Sequence, residues 1–241
     1  MLAPTLTPPE DLAQQLRSRG YAVLAPAAVS RLMQVDPARL QAWSAGWNAL
    51  PPDQYLKDGG RYRRRRHASF IVEGEGVTPV AHRAHWQPVS YNALHGGMER
   101  WFEPMEPSIT TDPDWQRLLA GLGRIASGVK GAQPWFVEAH QFRIDTTDGI
   151  GRPTPEGAHR DGVDLVAVFL VAREGIKGAE TRVFESQGPA GVRFTLTEPW
   201  SLLLLDDERV IHESTPIQPL AGGGYRDTLV VTLRRGGFQD P

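Results

Sequence analysis

The chain has 241 residues, of which 40% are hydrophobic and 22% charged, an ordinary globular composition that argues against long disordered segments. A formal net charge of -2 gives no overall attraction to nucleic acid, and the absence of cysteine excludes disulfides, thiolate catalysis and cysteine-ligated metals. Any metal must bind to His, Asp or Glu. Neither a leader pattern nor an apolar run of about 20 residues is present, which predicts a cytoplasmic protein without a membrane partner.

Three helices are predicted in the first half of the chain. The first, over about 8–19, follows a capping-box pattern, and the second, over 36–50, begins at an Asp-Pro pair and ends at two prolines. A second Asp-Pro pair opens the third helix, over 112–128, whose apolar residues form one stripe. The apolar faces of these helices are expected in the core.

Between these helices, residues 58–107 are rich in Gly, Pro and Arg and are predicted to form long loops with short β pieces such as 69–72. The arginine run 61–66 resembles a nucleic-acid patch, but in a strand it would be divided between two faces. We therefore expect one or two of these arginines, with Arg64 as the named candidate, to meet a substrate carboxylate and the others to pair with acidic loops.

After residue 134 the pattern changes to short strand-like runs separated by Gly, Pro and Asp. The predicted strands are 135–144, 163–172, 181–185, 192–197, 201–205 and 228–234. No helix-sized segments separate them, so a sandwich or barrel is favoured over a βαβ architecture. The prediction is one domain over 1–241, mainly β with flanking α, in which 1–134 form a helical and loop-rich support and 135–241 a β-rich catalytic core.

One histidine has a carboxylate two positions further on. His159 and Asp161 would project from the same side of an extended segment, directly before an apolar strand. Chance alone gives about 0.8 such pairs in this composition, so the spacing is weak without its context. His212 follows another apolar run and is the natural third ligand. Two His and one carboxylate are the facial triad of non-heme iron oxygenases.

Further candidates surround this triad. Arg226 can hold a dicarboxylate through its fork, and Thr228 adds a hydroxyl two residues on. Either His140 or Gln141 must face inward because neighbours on a strand alternate, and Tyr91 precedes a Gly-Gly turn that could carry a lid. Each of these side chains could equally be an ordinary structural residue.

The sequence resembles the bacterial iron(II)/2-oxoglutarate dioxygenases that include L-isoleucine dioxygenase and a biofilm- and stress-associated (BsmA-like) group. The resemblance covers about the last two-thirds of the chain. It is carried by RYRRRR (61–66), YNALHGGMERWFEP (91–104), VEAHQFRI (137–144), PEGAHRDGVDLVAVFLV (155–171) and the segment 212–232.

The resemblance implies a double-stranded β-helix, or cupin-like jelly roll, with iron(II) on His159, Asp161 and His212 and 2-oxoglutarate on Arg226. It implies hydroxylation of a small substrate by O2, with succinate and CO2 as products. A free L-amino acid or a related compound is the expected substrate. Two alternatives stay open: a non-catalytic dioxygenase-like sensor linked to biofilm or stress, and a cupin-like metal enzyme that does not use 2-oxoglutarate.

Overall fold

The computed structural model describes residues 1–241, with five α-helices and twelve β-strands. The helices are α1 (Leu12–Arg19), α2 (Pro26–Met33), α3 (Pro37–Trp43), α4 (Pro107–Thr110) and α5 (Pro113–Lys130), with 3-10 turns at Pro9–Asp11 and Ser44–Ala49. The strands are β1 (Tyr21–Leu24), β2 (Arg63–Glu73), β3 (Gly76–Pro79), β4 (Trp135–Asp145), β5 (Leu165–Glu174), β6 (Ile176–Gly178), β7 (Thr181–Glu185), β8 (Gly191–Phe194), β9 (Leu202–Asp206), β10 (Val210–Ser214), β11 (Ile217–Pro219) and β12 (Tyr225–Arg234).

The strands form one large and two small antiparallel sheets. The large sheet has seven strands in the order β1-β9-β5-β12-β4-β2-β3, and the small sheets have the orders β10-β7-β8 and β11-β6. Helices cover one face of the large sheet, and the small sheets lie over the other. These facing antiparallel sheets form the jelly roll that the sequence predicts.

Alternation along the strands separates a dry face from a polar face. On β12, Leu229, Val231 and Leu233 belong to a core of 33 buried residues that also includes the apolar sides of α1, α2, α3 and α5. The intervening residues of β12, Arg226 and Thr228 among them, face the small sheets. A second core of nine residues joins β5 and β9 to β7, β8 and β10. The polar face beside this second core is where the candidate site lies.

The predicted helices are confirmed within a few residues, although the second ends as a 3-10 turn over Ser44–Ala49. The prediction of long loops over 58–107 is wrong for β2, an eleven-residue strand that lies between β4 and the edge strand β3 of the large sheet. Five consecutive arginine and histidine positions hid its alternation, because alternate cations are buried there in place of apolar residues. No helix combines the length and hydrophobicity that a membrane span requires.

Candidate metal and co-substrate site

A polar cavity opens between the large sheet and the small three-stranded sheet. One wall comes from the inward residues of β2, β4 and β12, and the opposite wall comes from β10 and the loop between β4 and β5. Residues 85–100 close the side. The alternation described above therefore places polar side chains from several strands around one space.

His159, Asp161 and His212 meet at the mouth of this cavity, with their ligand atoms all within 4.8 Å of one another. The Nε2 atom of His159 lies 3.9 Å from one Asp161 oxygen, and the Nε2 atom of His212 lies 3.8 Å from the other. The backbones of the two histidines exchange both hydrogen bonds, each of 3.0 Å, as an isolated antiparallel pair. This pairing fixes the loop of His159 against β10.

The protonation of the two histidines suits a metal. His159 Nδ1 lies 3.0 Å from the Gly157 carbonyl oxygen, to which it can only donate, so Nε2 carries the lone pair when the ring is neutral. Burial lowers the pKa of His159, but the carboxylates of Asp161 and Glu156 outweigh it and the net shift is upward. Burial lowers the pKa of His212 well below its usual value. A cation among these groups would replace the proton that the carboxylates attract to His159.

A clamp of two side chains holds the backbone of Asp161. The carboxylate of Asp207 accepts hydrogen bonds from the backbone N–H groups of residues 161, 162 and 163, at 3.0, 2.8 and 3.2 Å. On the carbonyl side, the Gln239 amide donates to Asp161 at 3.1 Å and to Gly162 at 2.8 Å. Burial and the nearby Asp161 carboxylate raise the pKa of Asp207 to about 7. The clamp therefore fixes the backbone position from which the Asp161 side chain projects toward the two histidines.

Deeper in the same cavity, Arg226 is a buried cation without a partner. Its side chain is only 6% exposed, and its guanidinium forms neither a hydrogen bond nor an ion pair within the chain. Burial lowers the pKa of Arg226 to about 10, with a smaller contribution from Arg173, so it is charged at neutral pH. Thr228 lies next to it on the same face of β12. A buried cation in this state suits an anionic ligand.

The remaining predicted substrate residues lie in different places. His140 lines the cavity, whereas Gln141 faces the helical side of the sheet beside Gly46. Arg64 also points away from the cavity, toward the carboxylate of Asp145 at 3.5 Å. Tyr91 lies outside the cavity entrance, with the guanidinium of Arg160 5.6 Å from its ring centre.

A second cluster with metal-ligand chemistry lies at the inner end, formed by His67, His85, Glu138 and His140, all buried. Glu138 lies 3.1 Å from His67 Nε2 and 3.2 Å from His85 Nδ1. Burial alone would raise the pKa of Glu138, but His85 and His67 hold it well below its usual range. The guanidinium of Arg65 donates to His140 Nδ1 at 2.8 Å. The donor set could hold a cation, yet all four of its members already have hydrogen-bond partners.

A family model described as 2OG-Fe dioxygenase matches residues 44–232. The chain belongs to the 2OG-Fe dioxygenase family. This dioxygenase is 50% identical to a crystallised bsmA homolog from Methylobium petroleophilum PM1, with a TM-score of 0.94 over 99% of this chain and 98% of that chain. No curated protein matches it.

Two more distant structures share the fold of this dioxygenase. IDO from Bacillus thuringiensis is 16% identical, with a TM-score of 0.76 over 100% of both chains. The Fe(II)/(alpha)ketoglutarate-dependent dioxygenase TqaL is 19% identical, with a TM-score of 0.72 over 96% of this chain and 90% of that chain. Family membership makes the protein an Fe(II)- and 2-oxoglutarate-dependent enzyme. The alternative of a cupin-like enzyme that does not use 2-oxoglutarate is therefore set aside.

Sequence reasoning missed several polar residues that line the cavity of this dioxygenase. They are His85, Gln87, Arg100, Glu138 and Glu156. Two arginines of the run 61–66 also line the cavity, but they are Arg63 and Arg65 and not the expected Arg64. Residues 63 and 65 share a face of the strand that residue 64 does not, and this alternation was the available signal. Those from the loop over 85–100 had no comparable signal, because no periodicity governs an irregular segment.

Proposed function

We propose that His159, Asp161 and His212 bind Fe(II), that Arg226 and Thr228 bind the distal carboxylate of 2-oxoglutarate, and that the enzyme hydroxylates a free L-amino acid or a similar small compound. The observation that carries the proposal is the presence, in one cavity, of a two-histidine, one-carboxylate set and a buried arginine without a partner. Each feature alone occurs in other proteins. Together they match the requirements of iron and an acidic co-substrate.

The histidine-rich inner cluster is the competing metal site, and its hydrogen bonds argue against it. A metal would have to displace the contacts of Glu138 with His67 and His85, and it would lie close to two guanidiniums. Those belong to Arg65, 2.8 Å from His140, and Arg83, 3.4 Å from Glu138. A divalent cation is repelled by such neighbours. The triad has no guanidinium among its ion-pair contacts, and its Nε2 atoms are free to bind.

The residues of the chain hold and orient the reactants. Iron with 2-oxoglutarate supplies the oxidative chemistry of the family, in which 2-oxoglutarate is decarboxylated to succinate and one oxygen atom enters a C–H bond of the substrate. His159, Asp161 and His212 would hold the metal through three ligand atoms, and the cavity beside them would admit the co-substrate and O2. Arg226 orients the co-substrate by binding its far end. Val168 and Val230 provide an apolar surface next to these groups.

The decisive experiment measures succinate formed by anaerobically iron-loaded protein after addition of 2-oxoglutarate and air, across the free L-amino acids. Metal-free protein gives the background. His159→Ala and Asp161→Ala should lose iron and succinate formation while keeping their fold. His82→Ala is the matched control, since His82 is an exposed histidine outside the cavity. Full iron binding by both triad variants, with loss in Glu138→Ala, would move the metal to the inner cluster.

A further inference from the structure

Three buried guanidiniums surround the inner end of the cavity, and two of them have evident partners. Arg63 donates to the carboxylate of Asp53 at 2.7 Å. Arg65 lies between two aromatic rings, 3.7 Å from the centre of Phe102 and 4.3 Å from that of Phe142. It also donates to a histidine and lies 3.8 Å from the Asp53 carboxylate. The charges of these two arginines are therefore met by the Asp53 carboxylate, although Nη2 of Arg63 and Nε of Arg65 have no hydrogen-bond partner.

The third, Arg100, has no carboxylate in ion-pair contact, although those of Asp53, Glu156 and Glu138 lie near enough to stabilise its charge. Its side chain is 2% exposed, and its one side-chain hydrogen bond is to the neutral amide oxygen of Gln87, at 2.9 Å from Nη2. Its Nε atom has no partner. The backbone of Arg100 is fixed by two hydrogen bonds with His85, of 2.9 and 3.0 Å. Desolvation of a charge without a carboxylate in contact is costly, which suits Arg100 to bind an anionic ligand.

Gln87 also sets the distance from Arg100 to the proposed iron site. Its amide nitrogen lies 3.4 Å from the Oδ1 atom of Asp161, while its oxygen accepts from Arg100. Since the two ends of an amide are about 2.3 Å apart, the guanidinium lies no more than about 9 Å from the Asp161 carboxylate. An aliphatic amino acid whose carboxylate is bound at Arg100 is therefore long enough to bring a side-chain carbon close to the proposed metal. Asn92 holds the oxygen of Gln87 from the other side, at 3.1 Å.

We propose that Arg100 binds the carboxylate of the substrate and thereby selects small molecules with a free carboxylate over their amides and over internal residues of peptides. This inference rests on the proposed function, in which Arg226 is occupied by 2-oxoglutarate and Arg100 is the remaining cation of the cavity without a carboxylate in ion-pair contact. Glu156 lines the same cavity, with one carboxylate oxygen 3.5 Å from His159 Nε2 and the other buried without a hydrogen-bond partner. A ligand with one anionic end and one cationic end complements this pair.

The test compares each free L-amino acid with its own carboxamide. Wild-type enzyme is loaded with Fe(II) and 2-oxoglutarate under nitrogen, and binding is measured by calorimetry. The wild type should bind the best amino acid at least about ten times more tightly than its amide, as expected for one charge-assisted contact. Arg100→Gln should weaken binding of the acid ten- to a hundredfold, with little change for the amide. Arg100→Lys should recover part of the loss, and Arg193→Gln, an exposed arginine on β8, is the control.

Separate titration with 2-oxoglutarate distinguishes this inference from the proposed function. The affinity for 2-oxoglutarate should be unchanged in Arg100→Gln and reduced in Arg226→Gln. Equal binding of acid and amide by the wild type overturns the inference without any variant, which covers the case in which Arg100→Gln fails to fold. Binding of 2-oxoglutarate but of no amino acid overturns it as well. If only Arg100→Gln loses 2-oxoglutarate, the two arginines have exchanged roles and the proposed co-substrate site itself is wrong.

Discussion

Replacement of Arg226 by Gln should weaken co-substrate binding and, in the absence of ligand, stabilise the protein. The fall in the pKa of Arg226 to about 10 corresponds to about 3 kcal/mol of penalty on its charged form. Because Arg226 is a base whose pKa is lowered in the native state, the penalty is present at neutral pH, and it decreases only when the pH rises above that native-state pKa. A neutral Gln avoids it, and because 1 kcal/mol shifts Tm by about 2–4 °C in a chain of this size, Tm should rise by about 6–12 °C.

The loss of affinity follows from the same charge. A bidentate contact between a guanidinium and a carboxylate contributes two charge-assisted hydrogen bonds of about 1.5–3 kcal/mol each, so the Kd for 2-oxoglutarate should rise at least a hundredfold. Calorimetry with 2-oxoglutarate and thermal unfolding with and without it measure both effects. Arg193→Gln is again the control. A Kd within a few-fold of wild type, or a ligand-free Tm several degrees lower, would refute the reasoning.

Three further predictions concern the surroundings of the triad. Asp207→Asn should weaken iron binding about tenfold, because the amide cannot accept hydrogen bonds from all three backbone N–H groups. Competition with a chelator measures the affinity, and an unchanged value would show that the clamp has no effect on the metal. Glu138→Gln should retain one iron per chain, but its free energy of unfolding in urea should be lower by at least about 2 kcal/mol. Loss of the iron would contradict the assignment of the metal to His159, Asp161 and His212. His85 has its pKa lowered to about 4 by burial, so the unfolded chain takes up a proton near pH 6.5 that the native state does not. Stability should fall between pH 6.5 and pH 4, less steeply in His85→Gln, and equal slopes would exclude His85 as the cause.

Local signals were sufficient for the helices and for the β-rich second half. Asp36 and Asp112, taken from the sequence as helix starts, accept hydrogen bonds from the backbone of residues 38 and 114, at 2.8 and 2.9 Å. The apolar runs form strands whose alternate residues are buried on opposite faces of the large sheet. The His159–Asp161 spacing could be recognised for a similar reason, as two neighbouring ligands need only a short extended segment.

What could not be predicted depends on contacts between distant parts of the chain. Whether His140 or Gln141 faces the cavity is decided by which side of β4 the helices cover, and that is a property of the whole fold. β2 carries buried polar residues because carboxylates outside the strand meet them: Asp53 pairs with Arg63, and Glu138, 71 positions further along the chain, contacts His67. Arg100 and Gln87 reach the cavity on an irregular segment that has no repeating pattern. These residues required coordinates.

The direct pairing of His159 with His212 has a consequence for the stability of the protein against unfolding. On the proposed assignment, one metal ion joins two chain positions separated by about fifty residues, and a cross-link over such a loop is worth about 4 kcal/mol of lost disorder in the unfolded chain. In a protein without cysteine, iron would be the only cross-link of this kind. Loss of iron would then leave the fold in place but lower its free energy of unfolding by up to about that amount.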